Sequence, residues 1–480
     1  MTAPLEHRSS PGWDSTRFVV AGFGTAGYAC TDSLLQAGAE HVVALDDRDT
    51  EALREQARIL ETLGAVVRLG SGSTAELPDD AEIVVTSPGL RPDTPLLARA
   101  AERGLPIWSE IELAWRLRGD DAAPWLCVTG TNGKTTTVQM LASVLAAAGH
   151  RTVAAGNVGL PLVQAVMDPD GYDVIAVELS SYQLHFTSSM SAHSAAVLNI
   201  APDHVDWHGS LDAYARDKGR IYEKCQVACV YNAADKATEQ LVMDADVVEG
   251  CRAIGFTLGH PDISMLGVVD DLLVDRAFVE QRSTSALELA TLDDVRPPAP
   301  HNVANALAAA ALARAFGVPP SAVKHGLRAF TPDAHRIAHV VDVNAVAYVD
   351  DSKATNPHAA QASLSAYERV VWIAGGQAKG ATFDELVRAV HGRLRGVVLL
   401  GQDRAVIADA LTRHAPDIPV IDVADTDTGA MRRVVDEAAG LAQPGDTVLL
   451  APGCASWDMF ANYGARGDAF AEAVRALANR

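Results

Sequence analysis

Positive charge and long apolar runs are scarce in this sequence. Lys and Arg number 39 against 61 Asp and Glu, which gives a formal net charge of −22. A surface this acidic argues against binding to nucleic acids or to anionic membranes. A membrane-spanning helix needs roughly 20 consecutive apolar residues, and no stretch of the sequence offers them. Residues 1–17 also lack the apolar segment of a signal peptide, so we expect a disordered tail there and a cytoplasmic protein.

Cysteine is also sparse, and no two cysteines form a Cys-x-x-Cys pair. Cys225 and Cys229 are four residues apart but have no neighbouring histidine to complete a zinc set. Scattered cysteines in a long chain are typical of a reducing compartment. We therefore predict that all six are small core residues; they are Cys30, Cys127, Cys225, Cys229, Cys251 and Cys454.

A glycine-containing segment, residues 130–136, lies between an apolar strand at 125–129 and an Ala-rich helix. Backbone N–H groups at such a turn can bind phosphate oxygens, with Lys134 on the terminal phosphates and Thr135 facing Mg²⁺. The usual G-x-x-x-x-G-K-[ST] spacing would need glycine where Val128 stands, so this loop is a shorter variant. The alternative is an ordinary turn, but the strand, the helix and the Gly-Lys-Thr-Thr run together predict an ATP site.

A second glycine pattern follows the first predicted strand. Gly22, Gly24 and Gly27 form G-x-G-x-x-G, and Asp46 ends the next strand. Alone, this pattern indicates a dinucleotide site, so a nicotinamide-dependent dehydrogenase is one hypothesis. Other hypotheses are a site for a different diphosphate, such as a nucleotide sugar, and a tight turn without a ligand. A dehydrogenase has no use for an adjacent ATP domain, whereas a ligase acting on a nucleotide-linked substrate needs both.

Strands that end at glycine or at an acid alternate with helices along the chain, which predicts an α/β fold. The length of 480 residues favours three domains. We expect a disordered tail at residues 1–17, a Rossmann-like domain at 18–118 that binds the nucleotide-linked substrate, and a central ATP-binding domain at 119–331. That domain should have a P-loop ATPase-like parallel sheet, with a small accessory antiparallel sheet at 251–300. A C-terminal Rossmann-like domain is expected at 332–480.

Together these motifs resemble the Mur ligase family. The resemblance runs from Phe18 onward and rests on residues 22–27, 87–89, 130–136, 178–181, 199–204, 301–305, 351–356 and 452–463. It implies a magnesium- and ATP-dependent ligase of cell-wall synthesis that adds D-glutamate to UDP-N-acetylmuramoyl-L-alanine through an acyl phosphate. The L-alanine-adding relative and the folate polyglutamate ligases are alternatives within the same resemblance. It also implies small-molecule partners, and we expect a monomer.

The resemblance further implies roles for individual residues. Lys134, Glu178, His204 and Lys218 would be catalytic. Two Mg²⁺ would be held by Thr135, Glu178, His204 and Lys218, the last as a carbamate formed with CO₂. Alternative interpretations are that Glu178 caps a helix, that His204 is structural and that Lys218 lies on the surface. The nearby His208 is interpreted as a loop residue. ATP would contact Gly130, Thr131, Asn132, Gly133, Lys134, Thr135, Thr136, Asn305, Arg336, Asp351 and Lys353.

Two substrate sites complete these implied roles. The uridine diphosphate substrate would contact Gly24, Thr25, Asp46, Asp47, Gly89 and Asn157, although Asn157 alone could be a turn residue. D-glutamate carries two carboxylates, so its pocket needs cations and hydroxyl donors; the resemblance assigns Thr355, Lys379, Ser456 and Tyr463 to it. Tyr463 stands where the family often has phenylalanine.

Overall fold

The computed structural model describes residues 12–119, 121–425, 427 and 429–480. Contacts divide the chain into two compact units. The first contains the chain up to Val295 together with Val303–Phe330, and the second contains Arg296–Asn302 together with Thr331–Arg480. In the part of the chain described, no helix combines the length and apolarity that crossing a membrane requires.

The first sheet of the first unit is fully parallel and has the strand order β3-β2-β1-β4-β5. Its strands are β1 Arg17–Ala21, β2 His41–Asp46, β3 Val66–Leu69, β4 Ile83–Thr86 and β5 Ile107–Ser109. Its helices are α1 Thr25–Gln36, α2 Glu51–Thr62, α3 Pro95–Glu102 and α4 Glu110–Leu117. In this order β1 and β4 are neighbours, and the chain continues from β1 to β2 on one side and from β4 to β5 on the other. The carboxyl ends of β1 and β4 therefore lie beside each other, as in Rossmann-like folds.

The second sheet of the first unit has nine strands in the order β14-β13-β12-β11-β10-β9-β6-β8-β7. They are β6 Trp125–Thr129, β7 Thr152–Gly156, β8 Val174–Glu178, β9 Ser194–Val197, β10 Ala228–Asn232, β11 Arg252–Phe256, β12 Met265–Val269, β13 Leu272–Asp275 and β14 Leu287–Thr291. The helices along this stretch are α5 Lys134–Ala147, α6 Leu162–Val166, α7 Ser181–His185, α8 Val205–His208, α9 Leu211–Gly219, α10 Lys236–Met243, α11 Pro300–Ala315 and α12 Pro320–Ala329. Every residue of β6 and of β8 is buried, as expected for a parallel sheet covered on both faces.

The second unit has a six-stranded sheet in the order β15-β16-β20-β17-β18-β19. Its strands are β15 Ala338–Val343, β16 Val346–Asp350, β17 Val370–Gly375, β18 Leu394–Leu400, β19 Val420–Asp422 and β20 Thr447–Leu450. The helices are α13 Pro357–Leu364, α14 Asp384–Val390, α15 Arg404–His414, α16 Ala430–Leu441 and α17 Tyr463–Ala478. Only the edge strand β15 is antiparallel to its neighbour, and the sequence patterns did not predict it.

Two predicted features differ from the structure. The strands predicted as a separate accessory sheet are present, but β12 pairs in parallel with β11 and so continues the main sheet before the antiparallel β13 and β14. The tail predicted at residues 1–17 is wrong from Gly12 onward, because the Trp13 ring packs 5.5 Å from that of Phe18 and 6.4 Å from that of Trp108. Residues 1–11 lie outside the described part.

The two sheets of the first unit share one apolar core, which contains Phe18 of β1 and Val177 of β8. Polar contacts reinforce this junction at the start of α4. The Ser109 and Thr187 hydroxyls are 2.8 Å apart, and the Glu112 carboxylate accepts hydrogen bonds from the backbone N–H groups of Ser188 and Ser189. The first two sheets are therefore parts of one packed body.

Glu110 lies in this junction and should make the stability of the protein depend on pH. Burial raises the pKa of Glu110 to about 7, although its carboxylate accepts hydrogen bonds from the Val163 N–H and the Gln183 amide. Between about pH 4.5 and 7 the folded state keeps a proton that the unfolded state loses, so the free energy of unfolding falls as pH rises. The glutamine of Glu110→Gln does not titrate. Between about pH 5 and pH 8 the free energy of unfolding of this variant should therefore rise by roughly 2–3 kcal/mol relative to that of the wild type. Urea unfolding at both values measures this.

Glu112→Gln is the matched control two residues along the same helix. Burial alone would raise the pKa of Glu112, but hydrogen bonds from Ser189 and Ser188 and the charge of Arg116 outweigh it and lower that pKa. The stability that Glu112 contributes is therefore present above its ordinary pKa and lost only at lower pH. The decrease in the free energy of unfolding caused by Glu112→Gln should be the same at about pH 5 and pH 8. The raised pKa assigned to Glu110 would be contradicted if the stabilities of the two variants changed with pH in the same way.

Candidate active site

The loop between β6 and α5 has the backbone geometry of a phosphate-binding turn. Gly133 caps the helix with φ +86°, a left-handed conformation that side chains rarely adopt. A Cβ at this position would lie 2.4 Å from Oδ1 of Asn305, so only glycine fits. Gly133 is therefore the N-cap residue of α5, which begins at Lys134, and a helix N-terminus favours anions.

Contacts with residues 199–201 and with α9 fix the conformation of the loop. The Thr131 N–H donates to Asn199 O at 2.9 Å, and the Asn132 N–H donates to Asn199 Oδ1 at 2.8 Å. The buried Thr131 hydroxyl accepts from the Ala201 N–H at 2.9 Å and lies 3.0 Å from the Tyr214 hydroxyl. Thr131 was predicted to contact ATP, but its side chain is used by the protein and positions the loop.

Two lysines place their amino groups on this loop. Lys134 Nζ donates to Gly130 O at 2.8 Å and to Thr131 O at 2.9 Å. Lys218 Nζ, from α9, donates to the same Gly130 oxygen at 2.8 Å and to Thr129 Oγ1 at 3.3 Å. Burial lowers the pKa of Lys218 well below its ordinary value, and the charge of Lys134 lowers it further. The surface interpretation of Lys218 is wrong, because the residue is 2% exposed, and such burial favours a neutral, nucleophilic amine.

Glu178 ends β8 with one carboxylate oxygen unused. Asn157 Nδ2 donates to Oε1 at 2.8 Å, and the Asn157 N–H donates to the backbone oxygen of Glu178 at 2.9 Å. Oε2 is buried and has no hydrogen-bond partner among the described residues. A buried carboxylate oxygen without a donor is costly unless a cation binds it. Glu178, with the half-buried Thr135 hydroxyl at the start of α5, therefore suits Mg²⁺.

His204 precedes α8 in a left-handed conformation, φ 52°. Its ring centroid lies 5.0 Å from that of Tyr182, and its Nε2 lies 3.6 Å from the Asp203 carboxylate. With 43% of the side chain exposed, His204 is accessible to a ligand.

The interpretation of His208 as a loop residue is wrong. Its side chain is fully buried, and its ring nitrogens lie 2.8 Å from Asp217 Oδ2 and 3.0 Å from Ser181 Oγ. His185 Nδ1 lies 2.9 Å from the same Asp217 oxygen. Burial would raise the pKa of Asp217, but its hydrogen bonds with His185 and His208 and the charge of Arg220 lower it to about 2. The three side chains line a cavity of about 1010 Å³; no local motif joins them.

The glycine loop of the first sheet is tightly built. A Cβ at Gly27 would lie 1.8 Å from Gly22 O, whereas one at Gly24 would lie 3.5 Å from the Arg48 guanidinium. Asp46 accepts from the Phe23 N–H at 2.7 Å and forms two side-chain hydrogen bonds with Arg48. Burial would raise the pKa of Asp46, but these bonds lower it to about 2. The carboxylate predicted to contact the uridine diphosphate instead orients Arg48.

Three more residues predicted for this substrate follow strands of the first sheet, whereas Asn157 lies beside Glu178 in the second sheet. Thr25 begins α1. Asp47 accepts from the Thr74 N–H and hydroxyl. A Cβ at Gly89, which follows β4, would meet nothing within 4 Å. The exposed Arg48 guanidinium was not among the predicted residues and is the cation at this loop that suits a diphosphate.

In the second unit, Asp351 follows β16 and is buried. Its carboxylate accepts from the Ile337 N–H at 3.3 Å and from the Ser363 hydroxyl. Burial raises the pKa of Asp351 to about 6. The contact predicted between Asp351 and the ATP ribose stays a prediction, because each carboxylate oxygen accepts one of these hydrogen bonds and has a second lone pair.

Lys353 and Lys379 of the second unit each lie over an aromatic ring. Lys353 Nζ is 4.0 Å from the ring centroid of Tyr463, and Lys379 Nζ is 4.0 Å from that of Trp457. The buried Arg466 guanidinium joins the segments that carry these rings, since it donates to Ser352 Oγ, Ser352 O and Cys454 O. The other predicted residues lie as follows: Ser456 is buried, Thr355 N–H donates to Lys353 O, and Arg336 is 3.8 Å from Asp333.

Three family models match the chain. They are described as Mur ligase MurD-like N-terminal domain over residues 16–109, Mur ligase middle domain over residues 128–313, and Mur ligase glutamate ligase domain over residues 335–454. Together they cover both sheets of the first unit and most of the second unit.

Curated relatives match nearly the whole chain. The UDP-N-acetylmuramoylalanine--D-glutamate ligase of Streptomyces avermitilis is 66% identical over 97% of this chain and 99% of its own length. The enzyme of the same name from Streptomyces coelicolor is 66% identical, with 95% and 97% covered.

Solved structures share the fold at low sequence identity. The UDP-N-acetylmuramate-alanine ligase of Thermotoga maritima has a TM-score of 0.56 and 20% identity, with 96% of this chain and 99% of that chain covered. A second ligase from Thermotoga maritima, MurF, solved in complex with ADP, has a TM-score of 0.57 and 17% identity, with both chains fully covered.

Proposed function

Because this chain belongs to the Mur ligase family, we propose that it uses ATP to join D-glutamate to UDP-N-acetylmuramoyl-L-alanine in peptidoglycan precursor synthesis. The observation that carries this proposal is 66% identity over 97% of the chain to a ligase named for that reaction. Because the reaction consumes ATP and a UDP-linked substrate, we propose that it takes place in the cytoplasm.

The first step would join two anions, and the loop residues suit that task. A carboxylate oxygen of the muramoyl substrate attacks the γ-phosphorus of ATP, the bond to the β–γ bridging oxygen breaks, and ADP leaves. Lys134 would neutralise charge on the phosphate oxygens, because its amino group is already held at the loop by Gly130 O and Thr131 O. Such a fixed cation needs no rearrangement when charge develops in the transition state.

Bound Mg²⁺ would supply Lewis-acid stabilisation of the phosphate oxygens. We propose that Glu178 and Thr135 hold one ion, with Glu178 contributing its unpaired Oε2. His204 and a carbamate on Lys218 would hold the second. Asn157 would keep Glu178 in place through Oε1, so its role toward the substrate is at least partly indirect.

In the second step, the amine of D-glutamate attacks the acyl carbonyl carbon and phosphate leaves. We assign Lys379, Thr355, Ser456 and Tyr463 to the amino acid and Lys353 and Arg336 to ATP phosphates. Two ammonium groups packed over aromatic rings support a site for anions, since the rings hold the lysines in defined positions without neutralising them.

The dehydrogenase hypothesis loses its support at Asp46. A dinucleotide site needs this carboxylate to accept from a ribose hydroxyl, yet both oxygens are occupied by Arg48 and by the Phe23 N–H. A guanidinium at this position suits the diphosphate or base of a uridine nucleotide instead.

Phosphate release tests the proposal directly. The purified chain with ATP, Mg²⁺ and UDP-N-acetylmuramoyl-L-alanine should release phosphate at least about 10-fold faster with D-glutamate than with L-glutamate, L-alanine or glycine. This margin corresponds to only about 1.4 kcal/mol of preferential transition-state binding. The assignment would be contradicted if phosphate were released at equal rates with all four amino acids, or if the rate with D-glutamate equalled the rate without any amino acid.

A further inference from the structure

Three cysteines from separate segments meet at the amino ends of β10 and β11, two central strands of the nine-stranded sheet. Cys225 follows the turn of residues 220–222, Cys229 is the second residue of β10, and Cys251 immediately precedes β11. The Sγ atoms of Cys229 and Cys251 are 3.8 Å apart, and all three Sγ atoms lie within 4.8 Å of one another. We call these residues the cysteine triad. The sequence pattern showed only the first two, because Cys251 joins them through strand pairing.

The spacing of the triad matches that of thiolates around a single zinc ion. A Zn–S bond is about 2.3 Å, so sulfurs of a tetrahedral or trigonal site lie about 3.8–4.0 Å apart. The Cys229–Cys251 separation already has this value, and Cys225 needs to move by less than about 1 Å. A disulfide would require the same two sulfurs to approach to about 2.05 Å.

The environment of the triad also favours a cation. Cys225 and Cys229 are buried and Cys251 is partly exposed, so the site has a protected side and an entry side. Three thiolates would leave a fourth position for water on the exposed side of Cys251.

The triad is remote from the proposed chemistry within the first unit. Cys229 is level with Ala195 and Cys127 in the parallel sheet, near the amino ends of the strands. The phosphate loop follows Thr129, at the carboxyl end of β6. A cation at the triad would therefore tie β10 and β11 to the chain preceding β10 and would not take part in the reaction.

We propose that Cys225, Cys229 and Cys251 form a binding site for one thiophilic divalent cation, with zinc as the matching ion. Binding replaces the thiol protons of the triad with the metal ion, and these protons are released to solvent. The ion links three segments that are otherwise joined by strand hydrogen bonds and apolar packing, so it raises the thermal stability of the first unit.

Zinc titration of the reduced, chelator-treated full-length chain tests this proposal. In competition with a chromophoric chelator, we expect one tightly bound Zn²⁺ per chain, release of protons in weakly buffered solution, and a higher unfolding temperature. Cys251→Ala, chosen because this residue is partly exposed, should bind Zn²⁺ at least about 100-fold more weakly. Cys30→Ala, which removes a buried thiol of α1, is the matched control and should bind as the wild type does.

Three results would overturn the proposal. One is equal Zn²⁺ affinity in the wild type and Cys251→Ala, which would mean that the triad is only apolar packing. Another is loss of the tightly bound Zn²⁺ in His185→Ala, because His185, His208 and Asp217 form a second group with metal-ligand spacing. The third is an intact mass lower by two hydrogens in the chain isolated with reductant, with Cys229 and Cys251 recovered as one disulfide-linked peptide.

Discussion

Lys134→Ala is expected to lower kcat/KM for phosphate release by at least about 10³-fold. A cation fixed at the transferring phosphoryl group contributes on this scale, because it stabilises charge that develops in the transition state. The loop itself should persist in the variant, since the Thr131 and Asn132 N–H groups remain bonded to Asn199. Binding of the UDP-linked substrate, measured by calorimetry, should therefore change little while turnover is lost.

Lys236→Ala is the control for this experiment. Lys236 is an exposed lysine at the start of α10, so its removal alters net charge equally without touching the phosphate loop. It should retain wild-type turnover. A Lys134→Ala enzyme that keeps more than a tenth of the wild-type kcat/KM would contradict the role assigned to Lys134.

Lys218→Ala should lose activity to a similar extent, and formate or acetate should partly restore it. If Lys218 acts as a carbamate, its function is that of a carboxylate placed in a buried space beside Gly130 and Thr129. Removing the side chain opens that space, and a small carboxylate can occupy it. The neutral amine needed for reaction with CO₂ is favoured because burial lowers the pKa of Lys218.

Lys218→Arg separates the carbamate from a simple cationic role. Arginine keeps the positive charge, fills the space and cannot be carbamylated under these conditions, so this variant should be inactive and should not respond to formate. Full activity in either variant, or an absence of concentration-dependent rescue in Lys218→Ala, would show that a carbamate is not required.

Local patterns predicted those parts of the fold that local physics determines. The strand predicted at 125–129 is confirmed to the residue, because it is a short, fully buried apolar run. The start of α5 at Lys134 depends on the left-handed Gly133, which a pattern of apolar residues does not show. The edge strand β15 and the extension of the central sheet were missed or misassigned because they depend on pairing between distant segments.

The candidate-site residues also fall into those that short motifs reveal and those that only the fold brings together. Lys134, Glu178 and Lys218 were found through short motifs, and the structure places the two lysines on one loop carbonyl. The hydrogen-bonded group of His185, His208 and Asp217 has no such motif, because its members are separated by 9 to 32 residues along the chain. The roles of the predicted site residues toward their ligands remain predictions.

The apolar cluster that the first two sheets share has a consequence for how this chain can be divided. Cutting after α4 would expose Phe18 and Trp108 on one fragment and the packing partners of β8 on the other. Each fragment would lose part of the apolar area that it buries in the intact unit, so each should be less stable alone. The glycine loop of the first sheet and the phosphate loop of the second sheet should therefore denature together in one transition, and a destabilising change beneath either sheet should reduce the population competent to bind ligands at both.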